Sequence, residues 1–297
     1  TYNAENQMSH EYCSTSFVDS ENSVWIGTYG GGLFKIYENE ITHYDTSSGL
    51  SHPIVYTIFE HSSGKLLVGT SRGGINVFNG EGFDFFGQEK GFPDFAALGL
   101  TEDLEGNLWI SSNDGLYKIT KADVAKLDKE NDAPISYTMF STEDGLPTNS
   151  MEASTNAVAV TLKSGKMLFT TSRGVAVVDP EKAVINTSSF FPYIDELHVN
   201  EKQTQIKDGL ELSPDKNKVQ IIYSALNHDG PRKTKFRIKL SDVDENWVYV
   251  GDRTTAYYDF LPDGEYTFTV SAIGPDGQWS DKTASLSFTV LPPFYRA

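Results

Sequence analysis

The sequence has little cysteine and no long hydrophobic run. Its 297 residues include one cysteine, Cys13, so an intrachain disulfide is excluded. No nearby histidine forms a nucleophile motif with it, and we expect Cys13 to be a small, half-buried apolar residue. No apolar run approaches the roughly 20 residues that a membrane-spanning helix needs. The chain is therefore predicted to form soluble domains, and Thr1 is not a natural start, so the protein is expected to continue upstream.

Basic residues are scarce relative to acidic ones. The formal net charge is −17, and 12 Lys and Arg face 25 Asp and Glu within residues 1–185 alone. Residues 186–297 are closer to balance, with 12 basic and 16 acidic residues. A negative field of this size repels nucleic acid and anionic lipid. We therefore exclude nucleic acid as a partner of this chain and favour a neutral or cationic ligand.

Four short segments repeat along the first 185 residues. They are Val24–Thr28, Leu66–Thr70, Leu108–Ser112 and Met167–Thr171. Their second positions are separated by 42, 42 and 59 residues. Each segment follows a turn and precedes a Gly-aliphatic pair such as Gly32-Leu33, whose glycine suits the positive φ of a tight connection. A period near 42 with short strands is typical of a β-propeller, so residues 1–185 are predicted to form four blades of a larger propeller.

The longer third unit is explained by an insertion. Residues 121–127 have the pattern of a short amphipathic helix, and Glu130 to Pro134 form a polar loop. Both fall between the third and fourth repeat segments. The insertion leaves the propeller interpretation intact.

The pattern changes to longer alternating strands after residue 185. The predicted strands are Tyr193–Val199, Val219–Ala225, Lys235–Leu240, Glu265–Ile273 and Ala284–Val290. Turn sequences such as Leu261-Pro262-Asp263-Gly264 separate them. Residues 186–297 are therefore predicted to form an Ig-like β-sandwich, which makes the whole chain all-β.

The repeats resemble a known family of propeller repeats. Trp25-Ile26-Gly27-Thr28 and Trp109-Ile110 match the strand motif of the two-component regulator propeller, while Leu67 and Leu168 replace its tryptophan. The second domain resembles the three-tyrosine (Y_Y_Y) domain that follows such propellers. Its matching stretches are Phe236–Leu240, Asp244–Trp247, Tyr257-Tyr258, Leu261–Phe268 and Gly277–Ser280, with Phe236 in place of an expected tyrosine.

The resemblance implies a location and a role. Such regions are periplasmic parts of inner-membrane proteins and pass a signal through one transmembrane helix to a histidine kinase or another output. Several sense oligosaccharides. The resemblance thus implies an extracytoplasmic sensor that binds a small ligand, is tethered to the membrane and forms a homodimer through the sandwich domain. The segment Leu291-Pro292-Pro293-Phe294-Tyr295 is similar to the exit that enters the membrane helix.

No catalytic residue, metal site or cofactor is predicted. The acidic residues Asp242, Asp244 and Glu245 lack the further ligands of a calcium loop, so they are interpreted as a turn before a buried Trp247. No histidine pair has metal-binding helix spacing. Because the four tryptophans lie in repeat or strand motifs, core packing is predicted for each of them.

Candidate ligand residues follow from propeller connectivity. Loops between the second and third strands of each blade share a face with the loops that lead into the next blade. The residues predicted there are Tyr29, Arg72, Asn113 and Arg173 from the first set and His52, Asp94 and Asn149 from the second. Together they are the predicted ligand rim.

Two other functions remain open at this point. A propeller enzyme such as a lyase or lactonase needs His, Glu and Asp side chains that converge on the axis, and the sequence shows no such set. A purely structural dimerisation scaffold, with sensing done by blades upstream, is equally compatible with the repeats.

Overall fold

The computed structural model describes residues 12–87, 92, 95–128, 135–153, 158–183, 191–214, 218–225, 234–273, 279–280 and 282–292. The chain divides into two compact units, Thr1–Ile185 and Asn186–Ala297. Strands dominate both units, and the described helical residues are α1 (Lys121–Ala125) and the 3-10 turns Thr46–Ser48 and Thr142–Asp144. The all-β prediction is confirmed.

The first unit is built from four antiparallel sheets. Blade 1 contains β1 (Cys13–Val18), β2 (Val24–Thr28), β3 (Leu33–Tyr37) and β4 (Glu40–Tyr44), and blade 2 contains β5 (Val55–Glu60), β6 (Leu66–Thr70), β7 (Ile75–Phe78) and β8 (Phe83–Phe86). Blade 3 contains β9 (Gly99–Glu102), β10 (Leu108–Ser111), β11 (Leu116–Ile119) and β12 (Thr138–Phe140). Blade 4 has three strands among the described residues, β13 (Ala159–Thr161), β14 (Met167–Thr171) and β15 (Gly174–Val178). The predicted propeller blades are confirmed.

The repeat segments are the second strands of their blades. Each pairs with the strand before it and the strand after it, as where β2 pairs with β1 and β3. Gly27 within β2 has no unusual φ, but a Cβ there would lie 2.6 Å from a side-chain carbon of Val55 in blade 2. This glycine therefore permits close packing of the next blade. Gly32, which follows the segment, does adopt the positive φ predicted for it, at 76°.

Aromatic residues of the second strands fill the spaces between blades. Trp25 is 1% exposed and packs with Leu33 of its own blade and with Val55 of blade 2. Trp109 is fully buried and packs with Phe140 of blade 3 and Phe169 of blade 4. The core role predicted for these two tryptophans is confirmed.

A carboxylate orients each of these tryptophans, and it is half-buried in Asp19 and buried in Asp103. The indole N–H of Trp25 donates to Asp19 over 2.7 Å, and that of Trp109 donates to Asp103 over 2.8 Å. Burial opposes the ionisation of Asp103, but hydrogen bonds from Trp109 and Asn107 outweigh it and hold the pKa of Asp103 below its usual value. The same aspartates accept backbone N–H groups of the turn between the first two strands. One side chain thus stabilises both the turn and the interface between blades.

Blade 2 replaces both members of this pair. Leu67 stands at the tryptophan position, and buried His61 stands at the aspartate position, 42 residues after Asp19. Its Nε2 lies 3.1 Å from the carbonyl oxygen of Gly106 in blade 3. The histidine therefore hydrogen-bonds to the neighbouring blade where no indole N–H is present.

The second unit is a sandwich of two sheets. One sheet has the order β17 (Lys202–Thr204), β16 (Pro192–Val199), β19 (Lys218–Ala225) and β22 (Thr255–Asp259). The other has the order β18 (Leu210–Leu212), β24 (Ala284–Val290), β23 (Gly264–Ile273), β20 (Lys235–Leu240) and β21 (Val248–Gly251). Alternate residues such as Phe236, Ile238 and Leu240 enter the core between the sheets, so the sandwich prediction is confirmed.

Some local predictions are wrong. Trp247 is 38% exposed rather than buried, and its ring lies 4.6 Å from the guanidinium carbon of Arg237. Trp279 stacks on the same guanidinium at 4.1 Å, so the two rings lie against an arginine on the outward side of β20 instead of filling the core. Cys13 is exposed rather than half-buried, because it lies at the first position of β1. The predicted loop Glu130 to Pro134 lies outside the described residues.

Candidate functional site

Two sets of loops meet on one face of the propeller unit. The amide of Gly32, between β2 and β3, donates to the carbonyl oxygen of Pro53 in the loop that enters blade 2. The amide of Ser71, between β6 and β7, donates to Ile54 of the same entering loop. Each entering loop is thus held by the inter-strand loops of its neighbours. We call this surface the loop face.

The same pattern recurs further along the unit. The amide of Met151 donates to Ser112 of blade 3, and the amide of Ser172 of blade 4 donates to Ser150. Backbone hydrogen bonds therefore hold the entering loops in place whatever side chains they carry. Such loops present variable side chains on a rigid scaffold, which is the usual arrangement of a binding surface.

A groove runs between the first strands of the four blades. It has a volume of about 200 Å³ and is lined by residues of β1, β5, β9 and β13. Hydroxyl groups are frequent along it, including those of Thr15, Ser16, Thr57 and Thr101. Phe17, Tyr56 and Phe59 are also among the residues that line it. Hydroxyls that can both donate and accept hydrogen bonds suit a polar neutral molecule.

Three predicted rim residues direct their side chains outward. Tyr29, Arg72 and Arg173 are all exposed. The ring of Tyr29 meets that of Tyr56 edge-on, with their centroids 6.1 Å apart, so it joins the loop face to the groove wall. The backbone carbonyl oxygen of Arg72 accepts a hydrogen bond within the loop face, and the backbone amide of Arg173 donates one. Neither bond uses the guanidinium group. Neither guanidinium pairs with an acidic side chain of the described residues.

Three other rim residues use their polar atoms within the loops. His52 Nδ1 accepts from the amide of Ile54 at 3.1 Å, and Asn149 Oδ1 accepts from the amide of Thr142 at 2.7 Å. Asn113 Oδ1 accepts from the amide of Ala96 at 3.4 Å. These contacts assign loop-shaping roles to the three side chains. Asp94, the seventh predicted rim residue, lies outside the described residues.

The groove hydroxyls were missed by the sequence interpretation. Thr15 and Thr57 are 42 residues apart, at equivalent positions of β1 and β5. The repeat alignment concentrated on the second strands, where the tryptophan motif lies. Extending it one strand upstream would have revealed a recurring hydroxyl on the innermost strand.

The second unit matches a family model. Residues 227–291 match the Y_Y_Y domain. The second unit contains a Y_Y_Y domain. The predicted three-tyrosine domain is thereby confirmed, and Phe236, the predicted departure from its pattern, is a buried core residue whose ring meets that of Tyr223 at 5.2 Å.

Similarity to other proteins also extends over the whole chain. The chain is 25% identical over 304 residues to Histidine kinase P4 of Formosa agariphila, which covers 95% of the chain and 21% of that protein. The fold of this chain is similar to that of the extracellular domain of the hybrid two component system BT3049 of B. thetaiotaomicron, with a TM-score of 0.57 and 19% sequence identity. The match covers 98% of this chain and 40% of the BT3049 domain. The corresponding domain of BT4673 gives a TM-score of 0.45 at 20% identity, covering 99% of this chain and 39% of that one. The chain thus spans about a fifth of the curated relative's length.

Metal-binding groups and membrane-spanning helices also bear on the site. Among the described residues, no group of three or more His, Cys, Asp and Glu side chains is arranged to hold a metal ion. Within that same part of the chain, no helix has the length and apolar character to cross a membrane.

Proposed function

We propose that this chain is the membrane-proximal part of an extracytoplasmic sensor in a two-component system. It binds a small extracellular ligand and passes a conformational change onward to a histidine kinase or transcriptional output. The observation that carries the proposal is the succession of propeller blades and a Y_Y_Y domain, together with sequence similarity to a histidine kinase along 95% of the chain. The fold similarity to the extracellular domain of a hybrid two component system supports it.

The ligand class is proposed from the site's chemistry. Hydroxyls of Thr15 and Thr57 line the groove and can offer hydrogen bonds to a small molecule, and the exposed ring of Tyr29 on the loop face offers apolar stacking. An oligosaccharide has hydroxyl groups and apolar C–H faces that match both features. The net charge of −13 over residues 1–185 disfavours a polyanion. A neutral oligosaccharide held at the loop face, with Tyr29, Arg72 and Arg173 as contacts, is the proposed ligand.

We further infer where the protein lies in the cell. The sensor lies in the periplasm as part of an inner-membrane protein, tethered through a helix after the Y_Y_Y domain. Two copies are proposed to pair through their sandwich domains. Residues 186–297 carry less net negative charge than residues 1–185, so repulsion between two copies is weaker there.

Removing both exposed arginines tests the site. The double variant Arg72→Ala/Arg173→Ala is expected to weaken oligosaccharide binding by about tenfold or more for each arginine that contacts the ligand, as is typical for lost hydrogen bonds from a charged group. Isothermal titration calorimetry of the purified protein against a panel of neutral oligosaccharides measures the effect.

A matched control removes the same charge elsewhere. Lys163 and Lys166 are exposed in the turn between β13 and β14, outside the loop face. The variant Lys163→Ala/Lys166→Ala changes net charge equally and should bind like the parent. Equal affinity of all three proteins for every saccharide that binds would remove the arginines from the proposed site.

A further inference from the structure

The outward side of one sheet in the second unit carries a row of cations, although the chain as a whole is acidic. Alternate residues of β20 enter the core, and the residues between them project from the opposite side of the sheet: Lys235, Arg237 and Lys239. The row is about 13 Å long at the usual rise of a strand. A net charge of −17 gives no hint of this surface, because it averages over both units.

Hydroxyl groups lie beside the row. Lys239 pairs with Thr269 of β23, and Thr269 pairs with Ser285 of β24. Directly paired residues of antiparallel strands project from the same side, so one cation and two hydroxyls follow each other across three strands. Thr267 and Ser287 repeat the hydroxyl pair two residues away, with their side-chain oxygens 3.1 Å apart. We call these residues the basic face: Lys235, Arg237, Lys239, Thr267, Thr269, Ser285 and Ser287.

Arg237 is positioned by two tryptophan rings. Its guanidinium carbon lies 4.6 Å from the centroid of the Trp247 ring and 4.1 Å from that of Trp279. The rings shield the guanidinium from water, and this burial lowers the pKa of Arg237. A stacked guanidinium is pre-organised, and its N–H groups form a fork that fits the oxygens of an anionic group.

The charges of Arg237 and Lys239 are not neutralised within the described parts of the chain. Neither side chain forms an ion pair there with an acidic residue. The Nζ of Lys239 donates to the backbone carbonyl oxygen of Glu245 over 2.9 Å, and the ammonium group has two further N–H groups. The Nε of Arg237 and the Oγ of Ser271, at paired positions, are buried without hydrogen-bond partners in the structure. A shielded cation without an acceptor is costly, so an anionic group brought to this face would be stabilised.

Acidic residues on the same side of the sheet lie away from the row. Glu211 of β18 and Glu265 of β23 both pair with Thr289 of β24. Thr289 is four residues along its strand from Ser285, a distance of roughly 13 Å. Since the Debye length is about 8 Å at physiological salt, these carboxylates weaken the field at the row only slightly.

We propose that the basic face binds an anionic saccharide chain. Carboxylate or sulfate groups of the saccharide lie along the cations of β20, and its hydroxyl groups bond to the Thr and Ser side chains of β23 and β24. One chain that carries both kinds of group matches both halves of the face. This site lies in the second unit, is separate from the loop face proposed for sensing, and does not depend on that proposal.

Calorimetric titration of the 297-residue protein tests the proposal. The parent is the Arg72→Ala/Arg173→Ala variant, so that arginines of the loop face cannot hold the anion. Three oligomers of matched length serve as probes: an alginate oligosaccharide with carboxylates, a sulfated dextran and unmodified dextran. Both anionic oligomers, or one of them, should bind saturably and more weakly as salt is raised, while unmodified dextran should show no binding that depends on the basic face.

Single substitutions locate the binding. In this parent, Arg237→Gln and Lys239→Gln are each expected to weaken binding of the anionic oligomers by about tenfold or more, as is typical for lost hydrogen bonds from a charged group. Arg237→Gln also removes the contacts with the tryptophan rings, so melting curves check its folding, and Lys239→Gln decides the test if it fails to fold. Lys202→Gln is the matched control, since Lys202 is exposed at the start of β17 in the other sheet. It changes the net charge equally and should bind like the parent.

The outcomes separate the alternatives. Tighter binding of the alginate oligomer would identify carboxylate as the group recognised, and tighter binding of the sulfated oligomer would identify sulfate. Equal affinity of the Lys239→Gln and Lys202→Gln variants would overturn the proposal, because net charge and not the basic face would then determine binding. Failure of both anionic oligomers to bind, including the case in which only phosphatidylglycerol vesicles bind, would overturn it as well.

Discussion

Replacing Trp109 by alanine is expected to lower the free energy of unfolding of the propeller unit by about 3–5 kcal/mol, the usual cost of truncating a large aromatic residue in a core. The side chain is fully buried, and its ring stacks on Phe140 with centroids 5.2 Å apart. The substitution leaves a cavity between blades 3 and 4 and removes the indole donor from Asp103. Urea denaturation followed by circular dichroism measures the loss.

Trp247→Ala provides the matched control. The same side chain is removed from a site that is 38% exposed, where its contact with Arg237 is a cation–π stack. The free energy of unfolding of the second unit, which contains Trp247, is expected to fall by about 1 kcal/mol, in the range of such stacks near a surface. If Trp109→Ala costs no more than Trp247→Ala, the assignment of Trp109 to the interface between blades is wrong.

Inserting several Gly and Ser residues after Pro293 of the full-length protein is expected to uncouple ligand from output. Consecutive prolines fix φ and favour an extended, semi-rigid segment, whereas a Gly/Ser linker is flexible. Pro292 is exposed after β24, and Pro293 lies outside the described residues. The insertion leaves the propeller unchanged, so ligand affinity should stay the same while the ligand-dependent output disappears.

A second insertion separates stiffness from general damage. The same Gly/Ser residues placed in the exposed turn between β13 and β14, after Ser164, lengthen the protein without changing the exit. Output from a reporter gene should respond to ligand in this control and not in the exit variant. A normal response from the exit variant would refute rigid transmission through the prolines, although the sensor assignment would survive it.

Much of the architecture could be predicted because it depends on short-range patterns. The segment Trp25-Ile26-Gly27-Thr28 and its relatives encode second strands, and glycines such as Gly32 mark the turns that follow. In the sandwich, Lys235–Leu240 and Ala284–Val290 have the predicted bounds. The short strands β17, β18, β21 and β22 were not predicted, since three to five residues carry too little alternation to be recognised.

Features that depend on distant neighbours were harder to predict. Trp247 was predicted to be buried because it follows an acidic turn in a strand motif, but which side of a sheet a ring occupies depends on register. Its partner Arg237 is ten residues away, and the second ring, Trp279, is on a separate segment. By contrast, the pairing of Asp19 with Trp25 was open to sequence reasoning, because Asp103 and Trp109 repeat it at the same spacing of six.

On the loop face, the positions of some residues could be predicted, whereas the roles of other side chains could not. Propeller connectivity decides which loops share a face, so the positions of Tyr29, Arg72 and Arg173 could be predicted from the repeat alone. Whether a polar side chain hydrogen-bonds to the backbone of its own loop cannot be deduced from the repeat. His52 and Asn149 each accept a backbone amide, a role that depends on the path of the folded loop.

The claim that this chain senses a ligand without transforming it is tested most directly by following binding and product formation together. Purified protein is titrated with neutral oligosaccharides in a calorimeter, and the same mixtures are then analysed by chromatography. We expect saturable binding, with the saccharide recovered unchanged. Sustained turnover that a single substitution on the loop face, such as Arg72→Ala, abolishes would contradict it and make the protein a propeller enzyme.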